Sequence, residues 1–184
     1  VNASVTDING ETQSAETNVK VASVSHYIKA EQVKDTFDDE KVTLKVETKN
    51  YNEQNLKKSY QVKLSKLKSN ERIFRNTFKE VVQDFPQMSK SEFVTQFPHD
   101  RFDKNDIEEN RKVETTILNG TVHNEELLDL GKLQPGNYTL ELYNIEGKDT
   151  IKTQQNFAVY SKKTKTKNQN IFLEIVQPKN EVKR

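Results

Sequence analysis

The stretch Leu133–Tyr160, LQPGNYTLELYNIEGKDTIKTQQNFAVY, decides the fold, because turn chemistry and alternation agree there across two whole strands. Pro135-Gly136 is a turn pair. After it Tyr138, Leu140 and Leu142 fall on one side and Asn137, Thr139 and Glu141 on the other, the two-residue period of a half-buried strand. Gly147 reverses the chain. The return strand puts Ile151, Phe157 and Val159 on one face with Thr153 and Gln155 between them, and Lys152, Gln154 and Asn156 opposite. This is a hairpin of sandwich type, and none of its residues reads as reactive.

Working outward, the same alternation marks strands at His26–Ala30, Val42–Val46, Tyr60–Leu64 and Val113–Val122, with a polar loop over Thr48–Lys58. Leu127, Leu128, Leu130 and Leu133 lead into the hairpin. The shared period predicts a core of Val42, Leu44, Val46, Tyr60, Val62, Leu64, Ile117, Leu140, Leu142, Phe157 and Val159. Between Ser69 and Asn110 the strand pattern lapses into an insertion that scatters Ile73, Phe74, Phe78, Phe85, Phe93, Phe97 and Phe102 among charged residues. Ser89-Lys90-Ser91-Glu92 has capping-box spacing, and Pro98 ends the helix at Phe97. Phe93 and Phe97 then share one helical face, expected to cover a sheet edge or an open end of the sandwich.

The ends read as parts of other sheets. Val1, Ala3 and Val5 alternate into an Asn9-Gly10 turn, and Val19 and Val21 alternate on the way out. Such a hairpin is not stable alone. Residues 1–23 are therefore expected to close a preceding domain, 24–161 to form an antiparallel all-β sandwich with insertion 69–110, and 162–184 to supply a linker and the first strand of a next domain. That last strand is Asn170–Val176, after the lysine-rich SKKTKTKNQN. Edge pairing by these orphan strands gives a route to dimers, but little apolar drive, so a monomer or weak dimer is expected.

Composition narrows the function classes. The 184 residues hold only 32% hydrophobic side chains against 31% charged ones, and mean hydropathy is -0.93, so one thin core is expected. Lys plus Arg (29) nearly cancels Asp plus Glu (28), and the basic residues are dispersed, which argues against nucleic acid as a partner. The absence of cysteine excludes disulfides, thiolate zinc sites and cysteine nucleophiles. No apolar run approaches the ~20 residues that cross a bilayer. Val1 opens directly in strand-like sequence without a signal peptide, so the chain reads as a piece of a longer protein.

Candidate chemistry is sparse. His26, His99 and His123 stand far apart without metal-ligand spacing. His99-Asp100 with Asp103, Asp106, Glu108 and Glu109 is the densest acidic cluster, but it lacks the ordered ligand spacing and central glycine of a calcium loop. Carboxylate pairs for glycoside hydrolysis have no sequence marker here, and neither a nucleophile elbow nor a phosphate-cradling glycine loop is present. Tyr51, Tyr138 and Tyr143 are candidates for a sugar platform, with packing as the alternative use. No catalytic, cofactor-binding or metal residue is assigned, and no cofactor is expected.

Several segments together resemble the alpha-2-macroglobulin-like proteins of Bacteroidetes: VTDINGETQSAET at Val5–Thr17, MSKSEFVTQFPHDRFD at Met88–Asp103, LDLGKLQPGNYTLEL at Leu128–Leu142 and IFLEIVQPKNE at Ile171–Glu181. The resemblance spans nearly the full chain, and the Ser-Lys-x-Glu-Phe helix running into Phe97-Pro98-His99-Asp100 is its most specific part. It implies a macroglobulin-like domain, an immunoglobulin/fibronectin-like sandwich in a large exported protein of the periplasm or outer membrane that traps proteases. Such a fragment would be non-catalytic, with neighbouring domains of the same parent, and the parent's target proteases, as partners. Many members carry a Cys-x-x-Gln thioester, which this cysteine-free chain cannot form, and no bait segment is identifiable. The competing expectation is a carbohydrate-binding or adhesin-type sandwich.

Overall fold

The protein is described by a computed structural model covering residues 1–18, 22–69, 72–75, 85, 87–107, 112–123 and 126–163. Among the described residues ten strands and one short helix follow in order: β1 (Asn2–Thr6), β2 (Thr12–Glu16), β3 (Tyr27–Ala30), β4 (Thr36–Phe37), β5 (Val42–Lys49), β6 (Tyr60–Leu67), α1 (Lys90–Gln96), β7 (Val113–Val122), β8 (Leu127–Gly131), β9 (Gly136–Glu146) and β10 (Asp149–Tyr160). Sheet order is β4-β10-β9-β6-β7 against β3-β5-β8, with β1-β2 apart. All pairs are antiparallel except the two-residue β4, which runs parallel to β10. In immunoglobulin lettering β3, β5 and β8 stand as A, B and E, and β10, β9, β6 and β7 as G, F, C and C′, with β4 the part of A that crosses to the other sheet. The fold is an all-β, immunoglobulin/fibronectin-like sandwich with a short helix in an insertion.

The Leu133–Tyr160 hairpin sits at the centre of this arrangement. Its register pairs Tyr138 with Phe157, Leu140 with Gln155 and Leu142 with Thr153, and the Tyr138 and Phe157 rings stack with centroids 5.5 Å apart. A two-residue turn, Gly147-Lys148, joins the strands, with Gly147 at φ 62 where a first turn position needs positive φ. At the other end the Tyr138 hydroxyl donates back to the Gln134 carbonyl over 2.5 Å. This is the tyrosine corner of immunoglobulin-like domains, in which a Tyr at the start of strand F pins the E–F crossing. Gly136 serves the same corner. Its φ is +154, and a Cβ there would lie 2.6 Å from Lys66 Cε.

Ile28, Val42, Leu44 and Val46 from one sheet meet Tyr60, Val62, Leu64, Tyr138, Leu140, Leu142, Phe157 and Val159 from the other in a single buried cluster. Every residue expected in the core is there except Ile117, which is 47% exposed. The cause is a bulge: Leu64 pairs with Leu118 but Ser65 pairs with Thr116, so Ile117 is the extra residue on β7 and Leu118 takes the inner position. The outer face of the large sheet also departs from simple alternation, since Ser65, Asn137, Thr139 and Ala158 are buried there.

Helix α1 begins as its capping box requires. The Glu92 amide donates to the Ser89 hydroxyl, and the Ser89 amide donates to the Glu92 carboxylate. Phe93 is buried against Phe97 and Phe102, with centroids 5.2 and 5.3 Å away. Phe93 is not part of the sandwich core: among the described residues it packs with Phe97 and Phe102 of the insertion itself. Phe97, as C-cap, stays 39% exposed, and Phe85 is exposed.

The β1–β2 hairpin forms, but with a different turn from a two-residue Asn-Gly reversal. Asp7 and Glu11 close a three-residue loop, Gly10 donates to the Asp7 carbonyl, and Gly10 takes φ 86, which is a turn followed by a glycine bulge. All of residues 1–18 are exposed. The expected outgoing positions Val19 and Val21, the insertion's Phe78, acidic residues Glu108 and Glu109, and the linker beyond Lys163 with the strand through Val176 lie outside the described residues.

Candidate functional site

A convergence of polar side chains lies at the pole of the sandwich where β3 begins, β6 begins and β9 ends. His26, 1% exposed, immediately precedes β3. Its Nδ1 is 3.0 Å from Ser25 Oγ, 3.2 Å from Lys58 Nζ and 3.8 Å from a Glu146 oxygen. Its Nε2 is 3.3 Å from Asn144 Nδ2. Glu146 receives the Ser25 backbone amide at 2.8 Å and the Ser25 hydroxyl at 2.5 Å, with Lys58 Nζ 3.6 Å away.

Donor accounting fixes the proton positions. Asn144 Nδ2 donates to the Ser59 carbonyl at 3.1 Å and, with its second hydrogen, to His26 Nε2. Nε2 is therefore the acceptor, and Nδ1–H donates to Ser25 Oγ, which also accepts from Lys58 at 3.0 Å, so the Lys58 ammonium stands 3.2 Å from that N–H as a second donor and bonds the serine instead. Burial pushes the imidazole pKa down from its ordinary value, the Lys58 ammonium adds to this, and Glu146 opposes it. The hydrogen bonds from Ser25, with Lys58 nearby, hold Glu146 at about 2.

Ser25, His26 and Glu146 have the composition of a hydrolytic triad without its geometry. A triad base takes the serine proton on one ring nitrogen while an acid orients the other. Here serine and carboxylate lie on the same nitrogen, that nitrogen is the donor, and the serine proton is committed to Glu146. What the cluster does is tie the segment at Ser25-His26 to β6 and β9.

The other residues weighed from sequence are dispersed. Asp100, Asp103 and Asp106 each face a cation: Arg75 at 3.1 Å, Lys90 at 2.8 Å and Arg72 at 2.8 Å. Asp106 also receives the Phe102 amide at 2.8 Å. Those carboxylates are neutralised by the insertion itself, and no group of metal-ligating side chains occurs among the described residues. His99 Nδ1 lies 2.9 Å from the Ile73 carbonyl, and His123 Nδ1 lies 3.2 Å from Ser59 Oγ. The three tyrosines make no shared platform. Tyr138 is in the core, Tyr51 tilts against Tyr27 at 5.7 Å in the loop after β5, and Tyr143 lies on the outer face of the large sheet.

A depression of about 370 Å³ along residues 31–43 is lined by Glu31, Lys34, Asp35, Glu40 and Lys41. Polar groups beside it hold the A-strand crossing. Gln155 accepts from Val33 N at 2.8 Å and donates to the Glu31 carbonyl at 3.2 Å, while Asp35 accepts from Ala158 N at 2.8 Å. The alternation already turns Gln155 inward, but its partners lie 122 and 124 positions away, so what it holds is not legible in the amino-acid order. No helix among the described residues is long and apolar enough to cross a membrane. No protein family's sequence profile matches the chain, and no curated protein matches it.

Proposed function

We propose that this chain is a non-catalytic structural and interaction module of a larger exported protein, one of alpha-2-macroglobulin-like kind that entraps proteases. The observation that carries the modular reading is the β1–β2 hairpin. It places Val1, Ala3, Val5 and Ala15 on one face, with Ala3 opposite Ala15, yet every one of residues 1–18 is exposed and none belongs to the sandwich core. That face, which also carries Gln13 opposite Val5, is suited to completing another sheet. The sandwich meanwhile has a self-contained core, and the polar groups at its pole serve the segment arriving from the hairpin. The trapping role and the periplasmic or outer-membrane location rest on the motif resemblance alone.

The test uses the intact parental protein mixed with an endopeptidase. Entrapment predicts that cleavage of a protein substrate falls at least tenfold while turnover of a small peptide substrate persists. Equal loss of both activities, or loss of neither, removes the trapping role and leaves the module reading to stand on modularity alone.

A further inference from the structure

We propose that the Ser25–His26–Lys58–Asn144–Glu146 cluster is an acid-released latch that holds the segment entering β3 against the pole of the sandwich. The inference depends on the geometry of this pole and not on the parent's identity. The group that titrates sits on the segment that moves: His26 belongs to the entering segment, whereas Lys58 and Ser59 lead into β6, and Asn144 and Glu146 end β9.

In the closed arrangement Nε2 accepts from Asn144 only while the imidazole is neutral. Adding a proton at Nε2 sets two donors against each other, because Asn144 Nδ2 already donates to that nitrogen across 3.3 Å. Turning the Asn144 amide to present its oxygen would relieve this, but would also remove its bond to the Ser59 carbonyl. The new charge lies 3.2 Å from the Lys58 ammonium as well, a like-charge contact in a site where the imidazole is 1% exposed. Glu146 offers a partial counter-charge at 3.8 Å, but its oxygens are already engaged by the Ser25 amide and hydroxyl. The remaining route by which the imidazolium reaches water is to lift the Ser25-His26 segment off the pole. His123, exposed and bonded to Ser59 Oγ, is the other histidine adjacent to the cluster among the described residues.

The experiment is a pH titration of the full chain by NMR from pH 8 to 4.5, reading the His26 ring and the hydrogen-exchange protection of the Ser25 amide. The latch predicts a common midpoint below 6.5 for both readouts. Lys58→Met should move that midpoint upward by at least half a pH unit. Glu146→Gln should lower Ser25 protection at least tenfold at pH 8 while the far-ultraviolet circular dichroism is retained, and His123→Gln should leave the His26 midpoint in place. Protonation of His26 with Ser25 protection unchanged, absence of His26 titration in this range, or a midpoint that Lys58→Met does not move would each overturn the proposal.

Discussion

Replacing Tyr138 by phenylalanine removes one oxygen atom and tests the corner on which the hairpin depends. The ring stays stacked on Phe157, so the loss is the hydroxyl's bond to the Gln134 carbonyl. Gln134 is exposed and water can take over its carbonyl, so the cost at pH 8 should be a net hydrogen bond, about 1 kcal/mol. Burial also pushes the Tyr138 hydroxyl up to about 12 from its ordinary 10.0. The unfolded chain therefore loses this proton first as pH rises, so the contribution is complete below pH 10 and drains away toward pH 12. Two units correspond to about 2.7 kcal/mol at most, and roughly half of that is gone by pH 11. The variant ring has no proton to lose. The wild type should thus be the more stable protein at pH 8, and the two should cross near pH 11. Urea unfolding followed by circular dichroism at intervals between pH 8 and 12 reads both effects, and other titrating groups cancel in the difference. A variant as stable as the wild type at pH 8, or a constant difference across the range, would refute the assignment of this hydroxyl to a buried corner.

The bulge makes a paired prediction: Leu142→Ala, at a site 1% exposed, should cost about 2–5 kcal/mol, whereas Ile117→Ala should stay within about 0.5 kcal/mol, both by denaturant midpoint. For Glu146, depressed to about 2 by the Ser25 bonds of the closed pole, the contribution is fully present at pH 8 and is lost as pH falls, first as the latch opens with His26 protonation and, for any pole still closed, as pH drops from 4.5 toward 2. Glu146→Gln should flatten the acid limb of the stability profile in that window, and an unchanged limb would contradict the contacts described. Gly136→Ala should destabilise by about 1–3 kcal/mol through its backbone conformation, because the flexible end of Lys66 can move aside. Adding Lys66→Ala should therefore recover little, and full recovery would place the cost in sterics instead.

What was legible from the amino-acid order was local. The turn at Gly147, the alternation through Tyr138, Leu140 and Leu142, and the Ser89–Glu92 capping box each lie within a few residues, where period and turn chemistry act directly. Ile117 was misplaced because a bulge shifts the period by one residue without leaving a mark in composition. Strand β8 was seen only as a leucine-rich approach to the hairpin, and the two-residue β4 was not seen, since each is defined by the sheet it joins. The pole cluster was invisible for a stronger reason. Ser25 and Glu146 are 121 positions apart, and neither a lone serine nor one of many glutamates carries a signal until topology brings strand ends together. The acidic loop shows the converse, because Asp100, Asp103 and Asp106 stood out in sequence and prove to be neutralised by Arg75, Lys90 and Arg72.

Modularity is tested most directly by equilibrium unfolding of the chain with residues 1–22 removed, compared with the full chain. Residues 1–18 are exposed and absent from the sandwich core, and the Ser25–Glu146 bonds survive the deletion, so the shortened protein should unfold cooperatively with its stability within about 0.5 kcal/mol of the original. A loss of more than about 2 kcal/mol, or of the cooperative transition itself, would show that the hairpin belongs to the fold of the sandwich and would contradict the modular reading.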